Sequence, residues 1–277
     1  MTNETPTEAT GKTRFGKTFL ALLALGVPGI LASLPTALNQ VKALPPEMLD
    51  LPVPLTVALA LFNALLLLAI AVAVGTLLAH RVGLRSLVAE RVRQGAAIWP
   101  QLRPHLKLAV VAGIIFAVVV LGLDVLINPF AGTALASDLA TAETPTIWAL
   151  LTQLLMGILY GGIVEELLLR WGVMALFVWI GWRVAQRGQG APRPALVWTA
   201  IILAALLFGI GHLPAMASMV TLTPRIVIRT VLLNAFGGIV FGWLFWRRNL
   251  ETAMVAHAVA HVGFFVVNVV VALLNLA

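Results

Sequence analysis

Long apolar runs divide this chain at about 18–39, 53–79, 107–128, 146–182, 196–214, 226–246 and 253–275, with Pro, Gly and charged residues gathered in the breaks. A helix needs about 20 apolar residues to cross a hydrocarbon core about 30 Å thick, and each run is near that length or longer. The ten-residue alternation that marks a transmembrane β-barrel strand does not occur. The pattern therefore predicts an all-α, polytopic transmembrane helix bundle. As one straight α-helix the run 146–182 would reach about 55 Å, so it must tilt, break or protrude. The bundle has seven spans if that run crosses once and eight if it breaks.

Composition agrees with this pattern and removes several alternatives. The 277 residues are 61% hydrophobic and only 10% charged, and the mean hydropathy is +1.01; a soluble domain carries about 25% charged residues. The formal charge of +7 does not indicate nucleic acid, because Lys and Arg gather between the apolar runs rather than along one face. Basic residues crowd the tail, the segment Arg81–Lys107, the segment Arg183–Arg193 and the pair Arg247–Arg248, whereas the loops near 40–52 and 129–145 hold only Lys42. By the positive-inside rule this places the N-terminus in the cytoplasm, with Arg225 and Arg229 as a mild exception at an outer helix start. The absence of cysteine excludes disulfides, thiolate zinc sites and a cysteine nucleophile.

Three regions follow. Residues 1–17 form a polar cytoplasmic tail. Residues 18–144 supply the first transmembrane helices, with a basic connector at 80–106 that reads either as an amphipathic helix on the anionic inner leaflet or as a solvated linker. Residues 145–277 hold the glutamate, arginine and histidine residues that lie inside apolar runs and form the candidate catalytic transmembrane core. The lipid bilayer is the expected surroundings of the whole chain beyond its tail.

Ionisable side chains inside a membrane are costly and persist where they pair or face a cavity. Glu165–Glu166 is the one acidic pair within an apolar run, in Gly161-Gly-Ile-Val-Glu-Glu-Leu-Leu-Leu-Arg170. On a helix, Glu166 and Arg170 share a face with the acid first, the favourable order for an ion pair, while Glu165 points about 100° away. Glu166 is thus held by Arg170 and Glu165 is left for chemistry, unless the group only fixes helix packing. His212 closes Phe208-Gly-Ile-Gly-His212, where Gly209 and Gly211 admit a close backbone and Pro214 ends the helix. His257 and His261 project from one face of the last helix, at the spacing two imidazoles use to share a metal, but without the glutamate of an HExxH helix. Asn234 reads as a hydrogen-bonding contact between helices, and Asp124 has no evident partner. At 1.5 Å per residue from the basic ends, Glu165 lies about 27 Å deep, His212 and Asn234 about 20 Å, and His257 and His261 about 9 to 15 Å.

The order Glu-Glu-x-x-x-Arg, Phe-x-x-x-His, a glycine-rich helix, then His-x-x-x-polar resembles the CAAX-protease and bacteriocin-processing (CPBP, or Abi) family of intramembrane proteases, which includes the type II CAAX-prenyl endopeptidases. The resemblance covers about residues 145–270. It implies a catalytic Glu165 with Glu166 and Arg170 as partners, His212 and His257 as the motif histidines, and His261 where the family usually has Asn or Asp. It implies hydrolysis of a peptide bond in a membrane-associated or lipidated peptide or protein, in a bacterial cytoplasmic membrane. Two mechanisms stay open. In one, Glu165 and His212 activate a water while His257 and His261 donate to the oxyanion. In the other, the metalloprotease version, His212, His257, His261 and Glu165 supply ligands to a divalent metal such as zinc. A proton-coupled transporter would use the same cluster as a relay, although no internal repeat accompanies it. A non-catalytic scaffold or immunity protein of the same fold is the third reading.

Overall fold

The computed structural model describes residues 6–45, 47, 49–131 and 146–275. The first five residues of the tail and most of the outer loop expected at 129–145 lie outside them. Ten helices account for the described chain: α1 (Pro6–Ala32), α2 (Leu34–Lys42), α3 (Val53–Leu78), α4 (Leu87–Gln94), α5 (Ile98–Ala131), α6 (Ile147–Ala185), α7 (Pro194–Gly211), α8 (Leu213–Ala217), α9 (Pro224–Arg247) and α10 (Leu250–Asn275). Seven of them, α1, α3, α5, α6, α7, α9 and α10, are long and apolar enough to span a membrane. The chain is an integral, multi-pass, all-α membrane protein.

The distribution of polarity is the inverse of a soluble protein's. Leu59, Phe62, Leu66 and Ile70 of α3 face outward, as do Ile114, Ile115 and Val118 of α5, while Glu166, Arg170 and His257 are buried. Such an apolar exterior needs lipid as its solvent. With no hydrophobic drive between helices in lipid, close packing at small residues holds the bundle together. Gly238 of α9 rests on Ala205 of α7, Gly113 of α5 meets the Ala256 carbonyl of α10, and Gly29 of α1 meets the Leu159 carbonyl of α6. Gly75 of α3 lies against the Trp171 indole and carbonyl, so a Cβ there has no room. Gly75→Ala is expected to cost about 1–3 kcal/mol, read as a lowered Tm in detergent; an unchanged Tm would mean that α3 does not seat against α6 in this way.

The long fourth run neither breaks nor makes an eighth span. α6 stays continuous over 39 residues, but from Gly157 to Met174 it widens to i→i+5 hydrogen bonding. The Ala175 N–H, for instance, donates to the Arg170 carbonyl. A wider coil advances less per residue than an α-helix, and such stretches occur mostly at functional positions. Here the widened stretch carries Glu165, Glu166 and Arg170.

The basic connector holds the short helix α4, which packs one apolar face on the bundle and carries Arg91 and Arg93 in its last turn. Ser86 caps α4 by accepting the Ala89 N–H at 3.2 Å, and Leu87 and Ala89 are buried against the bundle. The carboxylate of Glu251, in the first turn of α10, accepts from Ser86 Oγ at 2.6 Å, Leu87 N at 2.8 Å and Val88 N at 3.0 Å. The connector is therefore pinned to α10, because a buried carboxylate and the open N–H groups of a helix start satisfy each other. Glu251→Ala would leave these donors unpaired at a cost of about 1–3 kcal/mol. Hydrogen exchange at Leu87 and Val88 should rise in that variant; unchanged protection would contradict the pin.

Candidate active site

Glu166 is fully buried on the inner face of α6. Its Oε1 lies 3.1 Å from Arg170 Nη1 and 2.8 Å from His257 Nδ1. Arg170 is also buried and sits over the rings of Phe208, at 4.8 Å, and Phe241, at 5.6 Å, with Nη2 donating to the Gly237 carbonyl at 3.4 Å. The Nη1 contact is ionic rather than well aimed, since that nitrogen makes no hydrogen bond of good geometry. One ion pair and two aromatic faces thus hold a charge that lipid would reject.

His257 occupies the position where α6 and α10 meet. Its Nδ1 is committed to Glu166, its ring stacks on Phe241 at 4.4 Å, and its Nε2 points across 3.8 Å to Glu165 Oε2. His212, just past the last turn of α7, reaches Glu165 from another side, with Nε2 3.9 Å from Oε1. The His212 Nδ1 lies 2.8 Å from the Phe208 carbonyl. A carbonyl only accepts, so Nδ1 carries the hydrogen and neutral His212 presents a lone pair at Nε2. Both gaps to Glu165 exceed direct hydrogen-bond range, and all three groups line the same cavity, from which one water can reach them.

Glu165 is partly exposed, on the wall of a cavity of about 480 Å³ lined also by Gln153, Tyr160, His212, Asn234 and His257. A second cavity of about 510 Å³, between α2, α3, α6 and α7, shares Glu165, Tyr160, Phe208 and His212 with the first. The glutamate stands on the partition between the two.

Five of the six residues singled out from sequence, Glu165, Glu166, Arg170, His212 and His257, thus form one connected cluster. The unequal depths counted from sequence do not keep them apart, because α6 is longer than a membrane crossing and its widened stretch is shortened. His261 joins only indirectly. It stacks on His257 at 5.0 Å in a slot opened by Gly157 and Gly161, and among the described residues it makes no close contact with Glu165. Nor do three or more His, Asp or Glu side chains among the described residues take up metal-holding positions. The four-ligand set considered from sequence is not assembled among the described residues, because His261 is turned aside from Glu165.

Two readings from sequence change. Asn234 donates within its own helix, to the Thr230 carbonyl at 2.8 Å, and faces the first cavity instead of joining two helices. Asp124 does have a partner: it forms an ion pair with Arg229 of α9, and both line the outer part of that cavity. Their separation in sequence hides the pairing, although two opposite charges near the same membrane face were a usable sign. Of the glycines before His212, Gly209 meets the Val231 backbone whereas Gly211 has open space around it.

Comparison with known proteins agrees with this arrangement. Residues 146–263 match the family model described as type II CAAX prenyl endopeptidase Rce1-like. That segment holds the whole cluster and is similar to the CAAX-protease (CPBP) family, a likeness that supports an intramembrane endopeptidase of the CAAX-protease type. The first five helices lie before the matched residues. No curated protein and no solved structure gives a significant match.

Proposed function

We propose that the protein hydrolyses a peptide bond of a membrane-associated or lipidated peptide, with Glu165 as general base on a water held between His212 and His257. The observation that carries this reading is the pair of gaps, 3.9 and 3.8 Å, from the Glu165 carboxylate to two imidazole Nε2 atoms at the wall of a large cavity. A water there donates one hydrogen to Glu165 and the other to the His212 Nε2 lone pair, which leaves an oxygen lone pair free to attack. As the oxygen bonds to the carbonyl carbon, its proton passes to Glu165. The C–N bond then breaks and that proton moves to the departing nitrogen, giving a carboxylate and an amine.

His257 links Glu166 to the site. Its Nδ1 shares a hydrogen bond with Glu166, and the tautomer with its hydrogen on Nε2 donates toward the place where negative charge develops on the carbonyl oxygen. Glu166 and Arg170 position it and do not touch the substrate. The placement of the basic ends supports a cytoplasmic N-terminus and, by resemblance, a bacterial cytoplasmic membrane.

The test is hydrolysis in ¹⁸O-labelled water, with protein reconstituted in liposomes that carry a panel of lipidated and unlipidated reporter peptides. One ¹⁸O atom is expected in each new C-terminal carboxylate. Proton flux across the liposome without peptide turnover would instead favour the transporter.

A further inference from the structure

The end of the bundle that carries the basic connector holds a separate cavity of about 190 Å³, walled by His80, Arg85, Ser86, Glu90, Arg93 and Trp171. We propose that it binds a phosphate group, presented by an anionic phospholipid or by free phosphate. Arg85 and Glu90 neutralise each other through a forked pair at 2.6 and 2.9 Å. Arg93 is in no ion pair among the described residues, and its guanidinium fork suits a phosphate oxygen pair. The independent sign is Trp171. It is 2% exposed, its buried indole N–H makes no hydrogen bond among the described residues, and it lies on the wall of this cavity. A buried N–H without an acceptor is unfavourable, and an anionic oxygen beside it removes the defect.

The position suits a headgroup. The cavity lies where α3 ends in the turn Ala79–Val82 and α4 begins, and basic pockets between transmembrane helices are places where phospholipid headgroups settle. It is distinct from the glutamate–histidine cluster and shares no lining residue with either cavity there.

The experiment uses the full chain, delipidated in a nonionic, phosphate-free detergent and titrated separately with short-chain phosphatidylglycerol and with inorganic phosphate. Native mass spectrometry reads stoichiometry, and indole emission reads the site by difference from Trp171→Phe. One saturable ligand per chain is expected, with an emission change absent from Trp171→Phe. Arg93→Gln should weaken binding about tenfold or more, and Arg93→Lys should keep most of it. Saturation by phosphatidylglycerol alone identifies a lipid site, and saturation by inorganic phosphate as well identifies a soluble anion as a sufficient ligand. If a folded Arg93→Gln binds both ligands as the unaltered chain does, or binding leaves the Trp171 emission unmoved, the proposal is overturned.

Discussion

Glu165→Gln is expected to reduce peptide cleavage by about 100-fold or more while the protein still folds and inserts. Among the described residues the Glu165 carboxylate faces both His212 and His257, which places it to take a proton from a water held there. Positioned general bases contribute about 10²- to 10⁴-fold. An amide of the same shape keeps the hydrogen-bonding outline and loses the basicity. Glu165 is partly exposed to the cavity and holds no buried ion pair of its own, so the substitution should leave the thermal midpoint nearly unchanged. Full cleavage by a folded Glu165→Gln protein would remove Glu165 from the reaction and reopen the transporter and scaffold readings.

Arg170→Ala should act in the opposite way, through stability first. Removing one partner of a buried pair leaves the other charge uncompensated, at a cost of about 3–5 kcal/mol. Here the orphan would be Glu166, fully buried, with His257 as its one remaining polar partner. The void would also strip the faces of Phe208 and Phe241 of their cation. A large fall in the thermal midpoint, with cleavage lost as His257 loses its support, is the expected result. If instead the midpoint holds and only cleavage falls, Arg170 acts on the substrate rather than on Glu166.

The bundle was legible in the sequence because membrane spans are set by length and apolarity, and seven runs gave seven long helices. The Glu166–Arg170 contact was legible because helical spacing alone brings those residues together. The hydrogen bond between His257 and Glu166 was not, since nothing in either helix specifies how the two approach. Sequence likewise placed His261 beside His257 correctly, but helical spacing could not tell that Gly157 and Gly161 open a slot for its ring on α6. Glu251 and the Asp124–Arg229 pair escaped notice for a related reason. Each is a single charge at the end of a span, which looks like an ordinary boundary residue until another helix is seen beside it.

The shared partition between the two cavities makes the site larger than its motifs. Ser33, Thr36 and Gln40, with Ala60, Leu61 and Ala64, wall the second cavity, and all of them come from α2, the residue just before it and α3. Those helices precede the segment that matches the family. A chain trimmed to residues 146–263 would keep every glutamate and histidine of the cluster, yet one flank of Glu165 would open directly onto acyl chains. The motif-free helices are in this sense the far side of the reaction chamber, and domain-swapped chimaeras between relatives would need to exchange both halves to keep it closed.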